Sequence, residues 1–238
     1  MGTAQVIQGA TECTEARGFN VCQNLVSPAS GSNYQTSAAL RAATFTIAWS
    51  TEYNWSGSDG KSVKSFANVE SKAATGLQLN LLPLMTTLWK WRYEGQDKSL
   101  KAVVALDILI GSGKQRVAAT PAKSFEVKIW LANTGGYSKP VGYKIAEVGC
   151  IAGYDWYIWR GVAGLVQTIT FVNQNPNEEI TEFDGDLTEF MSSLRRWHDP
   201  TAHHPSYIQS VKAGNEVYSG AAQFYSPLYQ LWVEFPAE

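Results

Sequence analysis

Three carboxylates stand out by the company they keep. Glu126 lies in Ser124-Phe125-Glu126-Val127-Lys128-Ile129-Trp130-Leu131-Ala132. Read as a strand, successive side chains point to opposite faces. Phe125, Val127, Ile129 and Leu131 then make one apolar face, and Glu126, Lys128 and Trp130 share the other. On an outer face this is a solvated strand with a Glu–Lys pair. On a concave one, the same trio is a polar cleft lined by a ring. Asp107 interrupts Ala102-Val103-Val104-Ala105-Leu106-Asp107-Ile108-Leu109-Ile110, which is otherwise wholly apolar. An ionised carboxylate there is costly unless paired or hydrogen-bonded, so Asp107 is either a strand-end or turn acceptor or a carboxyl that tunes another acid. Glu216 stands in Lys212-Ala213-Gly214-Asn215-Glu216-Val217-Tyr218-Ser219-Gly220. Glycines on both sides suit a bulge or a close backbone approach. The chemistry open to such a set is proton transfer and carboxylate attack.

The elements that would hold these residues read mostly as strands. Phe45, Ile47 and Trp49 alternate with Thr44, Thr46 and Ala48, the period of a half-buried strand. Residues 54–60 look like a hairpin loop, with 63–71 as the return strand. Further strands are expected over 88–93, 100–110, 124–132, 154–160, 166–172 and 207–217. Turn signals separate them at short intervals, which favours a sandwich. One segment differs: across 184–197, Leu187, Phe190, Met191, Leu194 and Trp197 recur at helical spacing. Acidic residues open it and arginines close it, as the helix dipole prefers, and Asp199-Pro200 ends it. The expectation is an all-β sandwich with one helix, forming a single domain over 1–238 with no repeat or linker.

Composition narrows the function. Hydrophobic residues make up 45% of the 238 and charged residues only 17%, against about 25% in an average globular chain. With a net charge of −2 and no basic stripe, nucleic acid is not an expected partner. No apolar run approaches the roughly 18 residues of a membrane-spanning helix. The start, Met1-Gly2-Thr3-Ala4-Gln5, lacks a basic region followed by an apolar one, so no signal peptide is read there. Nine Trp and eleven Tyr suit a large core, and also a groove in which ring faces meet sugar faces. Of the three cysteines, Cys13 and Cys22 are close enough for a local disulfide, leaving Cys150 over. His198, His203 and His204 fall in a proline-punctuated loop with no carboxylate or cysteine at ligand spacing, so no metal is expected. Neither a nucleophile elbow nor a phosphate loop is supported. Gly111-Ser112-Gly113-Lys114 follows a strand without a helix after it.

The chain resembles glycoside hydrolase family 12, compact β-jelly-roll endoglucanases and xyloglucanases. The resemblance runs in ordered pieces. Gly18-Phe19-Asn20-Val21-Cys22-Gln23-Asn24-Leu25 is similar to that family's first strand, and Ala48-Trp49-Ser50 through Asn54-Trp55-Ser56-Gly57 and Ser62-Val63-Lys64-Ser65-Phe66-Ala67-Asn68 to its Trp-rich hairpin. Ala105-Leu106-Asp107-Ile108-Leu109 resembles its buried-acid strand, Phe125-Glu126-Val127-Lys128-Ile129-Trp130-Leu131 its nucleophile strand, and Ala213-Gly214-Asn215-Glu216-Val217-Tyr218-Ser219-Gly220 its acid/base strand. The helix falls where the family has its single helix.

What the resemblance implies is a β-jelly-roll of two antiparallel sheets and retaining, endo-acting hydrolysis of β-1,4-glucan. It implies Glu126 as nucleophile, Glu216 as acid then base, and Asp107 as a carboxyl touching the nucleophile. Trp130, Trp55 and Asn24 would line the groove, and Lys128 would face it. Retention needs two carboxyls about 5–5.5 Å apart, one ionised and one protonated. No cofactor is implied; the partner is a β-glucan polysaccharide, and the enzyme is a secreted monomer. The family's first strand usually runs on to Trp where Val26 stands, and it usually has Met where Lys128 stands. Lys128 is expected to stabilise the Glu126 carboxylate or bind sugar hydroxyls. These departures keep open a protein of another class, one that binds β-glucan without cutting it.

Overall fold

The computed structural model describes residues 4–27, 31–57, 60–81, 84–114, 124–136, 138–194 and 206–234. In chain order the strands are β1 (Gln5–Ile7), β2 (Cys13–Ala16), β3 (Phe19–Cys22), β4 (Tyr34–Ala42), β5 (Thr46–Trp55), β6 (Ser65–Ser71), β7 (Leu84–Glu94), β8 (Lys101–Gly111), β9 (Ser124–Thr134), β10 (Tyr143–Ile151), β11 (Tyr154–Ala163), β12 (Val166–Asn173) and β13 (Glu182–Asp186), followed by helix α1 (Leu187–Leu194) and β14 (Tyr207–Glu234). They form a jelly-roll of two layers. The front sheet runs β2-β3-β6-β14-β8-β9-β12-β11-β10 and the rear sheet β1-β4-β5-β14-β7-β13. Pairing is antiparallel throughout the described residues except for β9 with β12, which run parallel.

Strand β14 is 28 residues long and belongs to both sheets. Its first half pairs with β6 and β8, and its second half with β5 and β7. A strand has two faces, and only one can meet the core. After a register shift between Ile208 and Ser210, the inward residues are odd-numbered: Val211, Ala213, Asn215 and Val217 are all buried. A register shift between Val217 and Ser219 inserts an extra residue, and Ala222 and Phe224 then face inward instead. A further shift between Ser226 and Tyr229 restores odd numbering for Tyr229 and Leu231. Each bulge re-aims the side chains by one face. Gly220 makes the first crossing sterically possible: its φ is 94°, and a Cβ there would sit 2.5 Å from the Leu100 Cα.

Between the sheets lies the core. The front sheet contributes Val127, Ile129, Leu106 and Ile108, and the rear sheet Trp49, Tyr53, Trp89 and Phe224, each no more than 1% exposed. Helix α1 closes one end through Leu187, Phe190, Met191 and Leu194. Phe190 meets the rings of Trp156, Phe171 and Phe183 at centroid distances of 5.3, 5.0 and 6.3 Å.

Several expectations change. The strands on either side of the expected hairpin loop at 54–60, of which 58 and 59 lie outside the described residues, do not pair with each other: β5 pairs with β4 and β14, and β6 pairs with β3 and β14. Both strands carry an inward apolar face, and facing each other across the core buries both faces. The helix starts at Leu187, because Asp184 and Asp186 extend β13 in register with Leu88 and Thr86 of β7. Asp186 then caps the helix, accepting from the Thr188 amide at 2.9 Å. Arg195, Arg196, Trp197 and the three histidines lie outside the described residues. Cys13 and Cys22, which face each other across β2 and β3, are joined as a disulfide, and Cys150 is free and exposed. Strands β4 and β10 escape sequence reading because β4 is rich in Ala, Ser and Thr and β10 is an edge strand with little burial.

Phe190→Ala should cost about 3–5 kcal/mol of stability, the usual loss for truncating a buried ring. Urea unfolding of the variant against the parent chain measures it, and a loss below about 1 kcal/mol would mean that α1 does not close the core.

Candidate active site

On the front sheet, the face turned away from the core is recessed. Trp130, Asp107, Thr168 and Thr170 point to that side, in register across β8, β9 and β12, yet all are at most 6% exposed. The alternation of β9 supplies the floor: Phe125, Val127, Ile129 and Leu131 go inward, and Glu126, Lys128 and Trp130 go outward.

Register then brings the carboxyls together. Lys128 is opposite Asp107 on β8, and Glu126 is opposite Leu109. Glu216, one strand beyond on β14, is opposite Val103. Along β8, Asp107 therefore lies between the levels of the two glutamates. The Lys128 Nζ spans the gap, 3.2 Å from Asp107 Oδ2 and 3.1 Å from Glu216 Oε1. Lys128 thus makes its ion pairs with Asp107 and Glu216. It does so because β8 and β14 present their carboxyls within its reach. Glu126 is half-buried, with the Thr168 Oγ1 3.4 Å from its Oε2.

Burial dominates the electrostatics. It pushes the Asp107 carboxyl up to about 7; the Lys128 ammonium opposes it, and the charges of Glu126 and Glu216 reinforce it. Asp107 Oδ1 is buried without a protein partner. Lys128 is drawn down by burial, but Asp107, then Glu216 and Glu126, hold it well above the usual lysine range. The Tyr218 hydroxyl, which accepts from Ser138 Oγ at 2.9 Å, is raised by burial and then by Glu216.

Phe66, which sequence reading passed over, is opposite Glu216 on β6. Its ring lies 5.6 Å from the Lys128 Nζ. It can lie there because residue 214 is glycine: a Cβ would stand 2.5 Å from Phe66 Cε2 and 2.8 Å from Asn68 Cβ. The close approach expected around Glu216 is therefore real. A lone Phe on a strand gave no signal, since its role depends on a glycine on another strand.

Trp130 lies on the floor against Val103, Ala105, Val172 and Tyr218, and its indole N–H has no protein acceptor. Asn24 stands half-buried just past β3, in a left-handed conformation (φ 43°) that asparagine tolerates, and accepts from the Phe66 amide. Val26 is 65% exposed. Trp55 departs from expectation: it is 1% exposed and part of the main core. Its number has the same parity as Trp49, Thr51 and Tyr53, all buried on the inward face of β5, so it cannot also reach the front recess. Among the described residues no cluster of three or more His, Cys, Asp or Glu could hold a metal ion.

A family model described as "Glycosyl hydrolase family 12" matches residues 17–233. A probable xyloglucan-specific endo-β-1,4-glucanase A of Aspergillus terreus is 35% identical over 178 residues, covering 74% of this chain and 65% of its own length, just under two thirds. The xyloglucan-specific endo-β-1,4-glucanase A of Aspergillus aculeatus is 30% identical over 215 residues, covering 90% of this chain and 84% of its own. The same fold occurs in endoglucanase 3 of Trichoderma harzianum, at a TM-score of 0.82 and 24% identity over 97% of this chain and 98% of that one. It also occurs in the catalytic domain of a Humicola grisea enzyme in complex with a thio cellotetraose, at 0.83 and 24% over 96% and 99%.

The state of Asp107 can be read from stability. Its folded value lies above the unfolded one of about 3.9, so the folded chain keeps a proton that the unfolded chain releases. The contribution is full below about pH 4 and declines as pH rises from there to about 7. Asp107→Asn cannot titrate. The unfolding free energy of the variant relative to the parent should therefore climb across that window in pH-dependent urea titrations. A flat difference would mean that Asp107 is ionised in the folded protein.

Proposed function

The chain belongs to glycosyl hydrolase family 12, and on that premise we propose that it cuts β-1,4-linked glucan internally with retention of anomeric configuration. One observation carries this reading: Asp107 and Glu216 meet at a single ammonium on the recessed face of the front sheet, and Glu126 projects from the same face two residues before that ammonium.

Glu126 is the nucleophile. Its carboxylate oxygen attacks the anomeric carbon, and the bond from that carbon to the leaving oxygen breaks. Glu216 gives its proton to the leaving oxygen and so becomes the base. It then takes a proton from water, whose oxygen displaces Glu126 from the sugar and regenerates both carboxyls. The Lys128 ammonium donates to Oε1 of Glu216 at 3.1 Å. Asp107 lies buried between the levels of the two glutamates and supports their division of roles. Trp130 provides a floor on which a sugar face can pack, and Asn24 flanks it.

Xyloglucan is the first polymer to offer, because both similar Aspergillus proteins carry that name. An exposed Val26 in place of a ring leaves room for a branched chain. Residues 1–238 act as one catalytic domain and as a monomer, without a cofactor. The Cys13–Cys22 disulfide fits an oxidising, extracellular setting.

Purified protein should release reducing ends from xyloglucan, and NMR of the first product should show the β-anomer. Glu126→Gln and Glu216→Gln should each lower kcat by roughly 10³-fold or more, with melting temperature little changed. Undiminished turnover in either variant removes that residue from the mechanism. Failure of the parent chain on xyloglucan, mixed-linkage glucan and carboxymethyl cellulose between about pH 4 and 8 removes the functional reading itself.

A further inference from the structure

Lys128 is held too firmly to serve as a sugar ligand. An ammonium has three protons to donate. One meets Asp107 Oδ2 at 3.2 Å and a second meets Glu216 Oε1 at 3.1 Å, with the side chain 16% exposed and its two partners 9% and 15%. The Phe66 ring lies at 5.6 Å, a distance at which a ring face attracts a cation. A lysine that tracks sugar hydroxyls needs a mobile stem and a wet head, and this one has neither.

Its surroundings are lopsided in charge. Glu126 shares its strand and face, β8 brings Asp107, and β14 brings Glu216, Tyr218 and, opposite Asp107, Lys212. Glu70 stands beyond Lys212 on β6. From β12 come Thr168 and Thr170, which carry no charge. With every carboxyl ionised, Glu126, Asp107 and Glu216 bring three negative charges to the recess. Beyond the proton that Asp107 keeps up to about pH 7, a double displacement needs one more, placed on Glu216 while Glu126 stays ionised. How tightly the group holds that proton depends on the positive charge fixed beside it.

We propose that Lys128 is a positioning residue, the fixed counter-charge that bridges Asp107 and Glu216 and sets the pH range in which the Glu126–Glu216 pair works. This rests on the functional reading above and adds what governs that site. An opposite charge within about 4–6 Å favours the ionised form by roughly one to three pH units. Because the three carboxyls interact, the shift belongs to the cluster as a whole. Removing the charge makes every proton harder to lose, so both limbs of the activity profile move in the same direction.

The test compares Lys128→Met and Lys128→Gln, which are neutral, with Lys128→Arg, which keeps the charge and can bridge two carboxylates. Two neutral variants are used so that a folding defect in one leaves the other to read. The first measurement is kcat/KM against pH on soluble xyloglucan. The neutral variants should shift the whole bell upward by roughly one to two pH units, with KM at the optimum within about twofold of the parent. Lys128→Arg should keep the parental profile. An unmoved bell, or a raised KM under an unmoved bell, overturns the proposal, the latter in favour of a sugar contact. The second measurement needs no turnover: a carboxyl 13C NMR titration of the unliganded protein, in which the cluster's midpoints should rise in the neutral variants. Stationary midpoints overturn the proposal even if glucan is cut. Shifted midpoints in a protein that cuts no glucan leave Lys128 as the counter-charge and remove only the functional reading.

Discussion

Both sheets are built on one strand. β14 is hydrogen-bonded to β6 and β8 in the front layer and to β5 and β7 in the rear. Its bulges after Val217 and Ser226 decide which side chains reach the interior along its second half. Without the shift between Val217 and Ser219, a strand that sends Glu216 and Tyr218 out to the recess would carry the same parity into the rear sheet. Phe224 would then face solvent, and Tyr225 would enter the core. The same irregularity thus fixes the direction of Glu216 and completes the aromatic packing around Trp89 and Trp91, which Phe224 joins at 6.3 and 5.7 Å. Site and core are two consequences of one register.

The recess shows the opposite economy. Most of the interior is apolar and gains from losing water, at roughly 25 cal/mol per Å². Asp107 sits in the same kind of strand, and burial raises its carboxyl to about 7. A cation and two further carboxyls are gathered where the sheet could have placed valines. Buried ion pairs seldom repay their desolvation, so this cluster costs stability and is explained by chemistry. Placing it on β8, β9 and β14, all interior strands of the front sheet, holds each carboxyl by ladders on both sides. Loops could not fix positions so closely.

Much of this was legible in the sequence because β9 and β8 carry strong local patterns. Alternation put Glu126, Lys128 and Trp130 on one face, and the apolar run around Asp107 marked a carboxylate in costly surroundings. What stayed hidden depends on register between strands far apart in the chain. Lys128 meets a residue 88 positions away, and no local pattern encodes that distance. Phe66 matters only because Gly214 leaves it room. Trp55 is a different case: its parity with Trp49 and Tyr53 was in plain view and pointed to the core, whereas its place beside a glycine-rich segment suggested a loop. The supposed hairpin went astray for a related reason, since adjacency in sequence said nothing about which side of a sandwich the next strand would take.

The contact between Phe66 and Gly214 also bears on how this protein can change over generations. No side chain fits at 214 while an aromatic ring lies at 66, and a smaller residue at 66 would uncover the flank of Glu216. The constraint is one-sided: position 214 is closed by its neighbours, whereas position 66 is open to smaller residues. Change along a lineage therefore has an order, with the ring at 66 yielding before the glycine at 214, and the floor beside Glu216 can be remodelled from one side first.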